Sequence, residues 1–143
     1  MKKTVFAALL GLASSIAFAQ MSPVGLWRTI DDETKTEKSL VRITEAGGVL
    51  TGKVEKISDP AKANAVCDKC TDERKDKPIV GMTIVRNVKP SSDAGAWDGG
   101  EILDPAKGKI YRVRLTPQDG GKTMQVRGFI GPFYKNQVWI RAE

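Results

Sequence analysis

From Gly25 onward the apolar residues recur at every second position in short runs, and each run is cut off by a cluster of glycine, proline, aspartate or asparagine. A helix face needs apolar residues three and four apart, so this spacing demands strands with one buried side. The runs are Gly25–Ile30, Ser39–Glu45, Val49–Ile57, a strand around Glu101-Ile102-Leu103 within Trp97–Asp104, Lys109–Thr116, Thr123–Ile130 and Gln137–Ala142. A further strand resumes at Ile79-Val80 and continues over Met82–Val88, with Gly81 as a bulge between them. Gly47-Gly48, Asp104-Pro105-Ala106-Lys107-Gly108 and Asp119-Gly120-Gly121 supply the turns. Asp59-Pro60 is a helix start, with Asp as cap and Pro in the first turn, and predicts one or two turns over Ala61–Val66.

About eight strands with mostly short links imply one all-β domain, either a sandwich or an up-and-down barrel. Closing the sheet into a barrel removes the exposed edges that invite aggregation. Eight strands enclose an interior that is either filled by side chains or just wide enough for one small ligand.

Residues 1–19 stand apart. Lys2 and Lys3 precede an uncharged, mostly apolar run from Thr4 to Phe18, and Ala17-Phe18-Ala19 ends it with small residues. This is the pattern of a secretory signal peptide cut before Gln20, leaving 20–143 as the barrel domain. No later run is long and apolar enough to span a bilayer. The expected location is therefore periplasmic or secreted. The formal charge of +6 includes Lys2 and Lys3, and the remaining charges alternate in sign, as in Asp72-Glu73-Arg74-Lys75-Asp76-Lys77. Mixed runs of this kind are solvated loops, and no basic stripe with interleaved aromatics points to nucleic acid.

Gly25-Leu26-Trp27 opens the first strand and Arg141 lies in the last. This pair resembles the lipocalin and fatty-acid-binding-protein pattern, in which a G-x-W tryptophan packs against a late arginine at the closed end of a barrel. A guanidinium on an indole face contributes roughly 0.5–2 kcal/mol. Further segments carry a second resemblance. They are Gly25-Leu26-Trp27-Arg28-Thr29, Cys67-Asp68-Lys69-Cys70, Ile79-Val80-Gly81-Met82, the run from Trp97 to Tyr111, and Arg127-Gly128-Phe129-Ile130-Gly131 with Trp139 and Arg141. As a set they resemble a family of secreted bacterial proteins known as the domain of unknown function 2147. The resemblance implies a small antiparallel, lipocalin-like β-barrel and no established reaction.

The chain has no histidine, which removes histidine catalysis and histidine metal ligation. Cys67-Asp68-Lys69-Cys70 would meet oxidant after export, so a Cys67–Cys70 bridge is expected as a staple on the long 58–78 connection. The alternative is a C-x-x-C redox centre, which needs a low-pKa thiolate; Lys69 is present, but the helix start of a βαβ unit is not. Two cysteines supply only half of a zinc site. Asp98, Glu101 and Asp104 cluster around Gly99-Gly100, without the denser oxygen spacing of a calcium loop. The serines have no histidine base and no G-x-S-x-G elbow, and the glycines form no phosphate loop. No catalytic residue, metal or cofactor follows from these patterns.

Alternation turns Leu50, Val54, Tyr111, Val113, Met124 and Val126 inward, and Trp139 joins them as a candidate for lining the interior. The function this supports is a binding or envelope-accessory module holding a small apolar molecule or a peptide. The alternatives are a C-x-x-C redox protein and a solid-cored interaction protein of the cell envelope, its loops 58–78 and 89–98 meeting a partner.

Overall fold

The computed structural model describes residues 21–143. Residues 1–19, expected to be a signal peptide, lie outside them. Eight antiparallel strands follow in order: β1 (Gly25–Ile30), β2 (Glu37–Ala46), β3 (Val49–Ile57), β4 (Thr83–Pro90), β5 (Trp97–Asp104), β6 (Lys109–Gln118), β7 (Thr123–Ile130) and β8 (Phe133–Arg141). Each pairs with its sequence neighbours, and β1 also pairs with β8 through Trp27↔Arg141 and Arg28↔Ile140, so the sheet closes into a barrel. No helix of the described residues is long and apolar enough to cross a membrane.

Directly paired residues point to the same side of a sheet. The registers Trp27↔Val41, Val41↔Val54, Val85↔Ile102, Leu115↔Val126 and Met124↔Trp139 therefore define one inward set. Most of that set is under 4% exposed and belongs to one core cluster. Strict alternation fails in β4, where Val85 and Val88 are both buried although three apart. Asn87, at φ 61°, forms a bulge between them, so that Val88 opposes Leu50 while Val85 opposes Gly52. The β5 strand carries a matching irregularity between Trp97 and Gly100 against β6. Without a Cβ, Gly100 lets the bulged backbone approach; a methyl there would lie 2.2 Å from the Arg86 carbonyl oxygen.

Three sequence expectations change. The helix over Ala61–Val66 is a single 3-10 turn, Pro60–Lys62, capped by the Asp59 carboxylate on the Ala61 amide at 3.0 Å. None of its residues is buried, so no apolar face extends it. Ile79-Val80 are not in a strand, and the bulge falls at Asn87 rather than Gly81. The segment instead makes the bonds Gly81 N–H to Val54 O (2.7 Å) and Val54 N–H to Met82 O (3.0 Å) before β4 begins at Thr83. The last strand starts at Phe133, not Gln137, because Gly131-Pro132 needs only a tight turn before β8 pairs with β7.

The β3–β4 connection adds an outer layer. Ile84 and Leu103 sit one residue along from the inward pair Val85–Ile102 and so face outward, yet they are 5% and 2% exposed. They share the core cluster with Cys67, Cys70 and Met82 of the connection. The connection also seats on the β5–β6 turn: Cys67 Sγ lies 3.5 Å from Pro105 O, and the Lys69 backbone packs against Gly108.

Candidate functional site

The two ends of the barrel are built differently. At one end, Trp27 is fully buried and its indole N–H donates to Pro23 O at 2.8 Å. The Arg141 guanidinium stacks 4.2 Å from the Trp27 ring centroid. Its Nε donates to Gly121 O (2.5 Å), and its two terminal nitrogens donate to Val24 O (2.8 Å) and Ser22 O (2.6 Å). One arginine thus ties β8 to the segment before β1 and to the β6–β7 turn. Gly25, at φ +139°, makes this stacking feasible, since a Cβ there would lie 2.5 Å from an Arg141 nitrogen. The G-x-W pattern therefore has a physical content: the glycine clears room for the guanidinium and the tryptophan supplies its platform. Burial lowers the Arg141 pKa from its ordinary value, but from a range so high that it stays charged.

The opposite end is a polar mouth. Lys135 Nζ pairs with Asp32 Oδ2 at 2.6 Å, and Gln137 Nε2 donates to the same oxygen at 3.2 Å. Lys135 and Gln137 face inward on β8, in register with Gly128 and Val126. The Asp32 hydrogen bond raises the Lys135 pKa, with further attraction from Asp32, Tyr111 and Asp104. The Lys135 hydrogen bond in turn lowers the Asp32 pKa against the opposing effect of burial, with help from Gln137. Both therefore stay ionised across the neutral range. Deeper on the same side, the Thr29 and Ser39 hydroxyls share a 2.7 Å hydrogen bond.

Between the two ends, Leu50, Val54, Val113, Met124, Val126 and Trp139 are each 3% exposed or less and pack in one cluster, whereas Tyr111 is half-buried beside Gly128. Trp139 lies one inward position below Gln137. Its indole N–H is buried with no hydrogen-bond acceptor among the described residues, a state that costs about 1–3 kcal/mol unless something accepts from it.

A family model described as an uncharacterized protein conserved in bacteria, DUF2147, matches residues 25–141. The chain belongs to this family. No curated protein matches it. Among solved structures, HP1028 from the human pathogen Helicobacter pylori, described as belonging to the lipocalin family, superposes with a TM-score of 0.73 at 17% identity, covering 85% of this chain and 84% of its own. That likeness gives this DUF2147 protein a lipocalin-like fold.

Cys67 and Cys70 are disulfide-bonded and 0% and 2% exposed. The acids near Gly99-Gly100 do not face one another as a pair. Asp98 bonds Arg114 (3.0 Å), Glu101 bonds Arg86 (2.5 Å), and Asp104 accepts from the Ala106 amide (3.0 Å) in its own turn. On the outside of the barrel, Asp72 binds Arg74 (2.6 Å) and Arg86 (3.4 Å), and the Arg74 hydrogen bonds pull the Asp72 pKa to about 2. This cluster borders a surface groove of about 510 Å³ between the connection and β4. Asp32, Lys135 and Gln137 were not among the sequence candidates. The available signal was the alternation Lys135, Gln137, Trp139, Arg141, which is visible once β8 is begun at Phe133.

Proposed function

We propose that this protein is an exported carrier or sensor that holds a small, largely apolar molecule in the mouth half of its barrel. The polar end of that molecule meets Asp32, Lys135 and Gln137. The observation that carries this reading is the Trp139 indole N–H, buried inside the barrel without an acceptor. A buried donor of this kind is satisfied when a ligand oxygen reaches it. Half-buried Tyr111, whose ring packs over Gly128, lies on the mouth side of the packed cluster, where an apolar body would rest against it. The signal-peptide pattern of residues 1–19 and the disulfide both suit an oxidising compartment.

Native mass spectrometry of protein taken from its own cell should detect a bound small molecule, and a fluorescent fatty acid should bind the purified protein. Trp139→Phe removes only the donor function at that depth and should weaken such binding roughly three- to tenfold. Protein that is consistently empty and binds no lipid probe would rule the carrier out. A solid-cored interaction protein would then remain. One observation favours that rival: six of the seven candidate lining residues are already packed against each other. The redox alternative draws no such support, because a disulfide exchanges only when a thiolate can reach a sulfur, and both cysteines are buried.

A further inference from the structure

The β7–β8 hairpin ends in Ile130-Gly131-Pro132-Phe133-Tyr134, and its apolar side chains are turned out to solvent. Phe133 is 76% exposed, Tyr134 58% and Ile130 50%. Ile130 pairs with Phe133 across the hairpin, and the Phe129 and Tyr134 rings lie 6.0 Å apart. By register Ile130 and Phe133 lie on the mouth-facing side of the hairpin, in line with Gly128 and Lys135, while Phe129 and Tyr134 lie on its outer face. A hairpin tip that is apolar on both faces and exposed marks an interaction site.

The charges around it are mostly cationic, although Asp104 and Glu101 on β5 stand opposite Lys109 and Arg112, and Asp32 holds Lys135. Residues 106–142 contain eight lysines and arginines and one acid, Asp119, which lies in the β6–β7 turn at the other end of the barrel. Arg112 stacks 5.5 Å from the Phe129 ring and donates to Gly131 O at 3.3 Å. Arg127 stacks 4.3 Å from the Tyr134 ring and donates to Asn136 Oδ1 at 2.7 Å. Among the described residues, neither arginine reaches a carboxylate, and neither do Lys107 and Lys109 on the adjoining turn and strand. The corner is therefore an apolar aromatic tip with a cationic collar one step behind it.

We infer that this tip seats in the headgroup layer of an anionic lipid bilayer, with Ile130, Phe133 and Tyr134 below the headgroups and Lys107, Lys109, Arg112 and Arg127 against the phosphates. Aromatic and aliphatic side chains backed by cations have the depth order of a membrane interface. The projection is convex, a shape a fluid lipid surface accepts without a matching groove. A second copy is disfavoured, because facing tips would bring two cationic collars together. The Lys135–Asp32 contact puts the tip beside the barrel mouth, so docking turns the mouth toward the membrane. The inference stands whether or not the barrel carries a ligand.

The test is co-sedimentation of the exported chain with vesicles of phosphatidylcholine containing about one-third phosphatidylglycerol, against pure phosphatidylcholine. The expected result is binding to the anionic vesicles that weakens with salt. Phe133→Ser should reduce it about tenfold, and Arg127→Gln with Lys109→Gln about twentyfold. Lys53→Gln with Lys56→Gln on exposed β3 should change it less than about twofold. Unfolding midpoints check that every variant is folded. The inference is overturned if anionic vesicles bind no better than neutral ones, if Phe133→Ser leaves binding intact, or if the β3 pair matters as much as the collar. It is equally overturned if sedimentation velocity finds a dimer that Phe133→Ser abolishes, since the patch would then belong to a second copy.

Discussion

Arg141→Ala should cost about 3 kcal/mol of folding stability, far more than its place at the end of the last strand suggests. Among the described residues the side chain makes hydrogen bonds to the backbone carbonyls of Gly121, Val24 and Ser22, and it stacks on Trp27. Taking about 1.5 kcal/mol for each charged hydrogen bond to the two part-buried carbonyls gives about 3. The third, more exposed bond adds little, and the cation–π contact contributes about 1 kcal/mol. Water refilling the site returns roughly 1 kcal/mol, which leaves about 3. A small domain has about 5–15 kcal/mol in total, so the loss should be plain in urea unfolding followed by tryptophan fluorescence. Arg141→Lys keeps the charge but cannot span three carbonyls, and should lose about 2 kcal/mol. Lys53→Gln, an exposed substitution, should stay within about 0.5 kcal/mol and serves as the control. A cost for Arg141→Ala below about 1 kcal/mol, with unchanged m, would show that strand pairing closes the barrel without this clamp.

Two further outcomes follow from the outer layer. Gly108→Ala should be far more damaging than Gly131→Ala, although both glycines sit in hairpin turns at positive φ. At Gly108 a methyl would lie 2.0 Å from the Lys69 carbonyl oxygen, so backbone strain and displacement of the disulfide loop should cost about 3 kcal/mol together. At Gly131 nothing lies within 4 Å, and about 1 kcal/mol of backbone strain is expected; equal losses in thermal unfolding would mean that the loop does not seat on the turn. The second outcome concerns acid. Asp72 is depressed from 3.8 to about 2, chiefly by its hydrogen bonds with Arg74, so its stabilising effect is fully present above pH 3.8 and disappears as pH falls through about 2. Asp72→Asn should therefore flatten the decline in urea midpoint between those pH values, and a decline as steep as in the unsubstituted protein would refute the assignment.

Strand positions were legible in the sequence wherever period two ran undisturbed. Gly25–Ile30, Val49–Ile57 and Thr123–Ile130 have the bounds their patterns predict, and the strand expected around Glu101-Ile102-Leu103 runs over the whole of Trp97–Asp104. The pattern misled where a local device reset it. Asn87 takes a left-handed conformation, which asparagine tolerates better than most residues but which period-two alternation does not show, and it puts Val85 and Val88 on one face. At the start of β8, Phe133, Tyr134 and Asn136 are exposed, so burial leaves no trace in the residue types. Beginning the strand too late hid Lys135, and with it the mouth. Asp32 was hidden for a different reason: it lies in the β1–β2 loop, 103 positions from Lys135 in the numbering, and only closure of β1 on β8 brings the two within 2.6 Å.

Local chemistry thus dictated the strands and their turns, because alternation and backbone preference act over a few residues at a time. What only the tertiary structure decided is long-range: which carboxylate pairs with which cation, the burial of Cys67 and Cys70 under an outer layer, the stranded Trp139 donor and the bare hairpin tip. Each of these depends on residues far apart in the chain meeting, or failing to meet, once the sheet curls closed, and no short window of sequence carries that geometry.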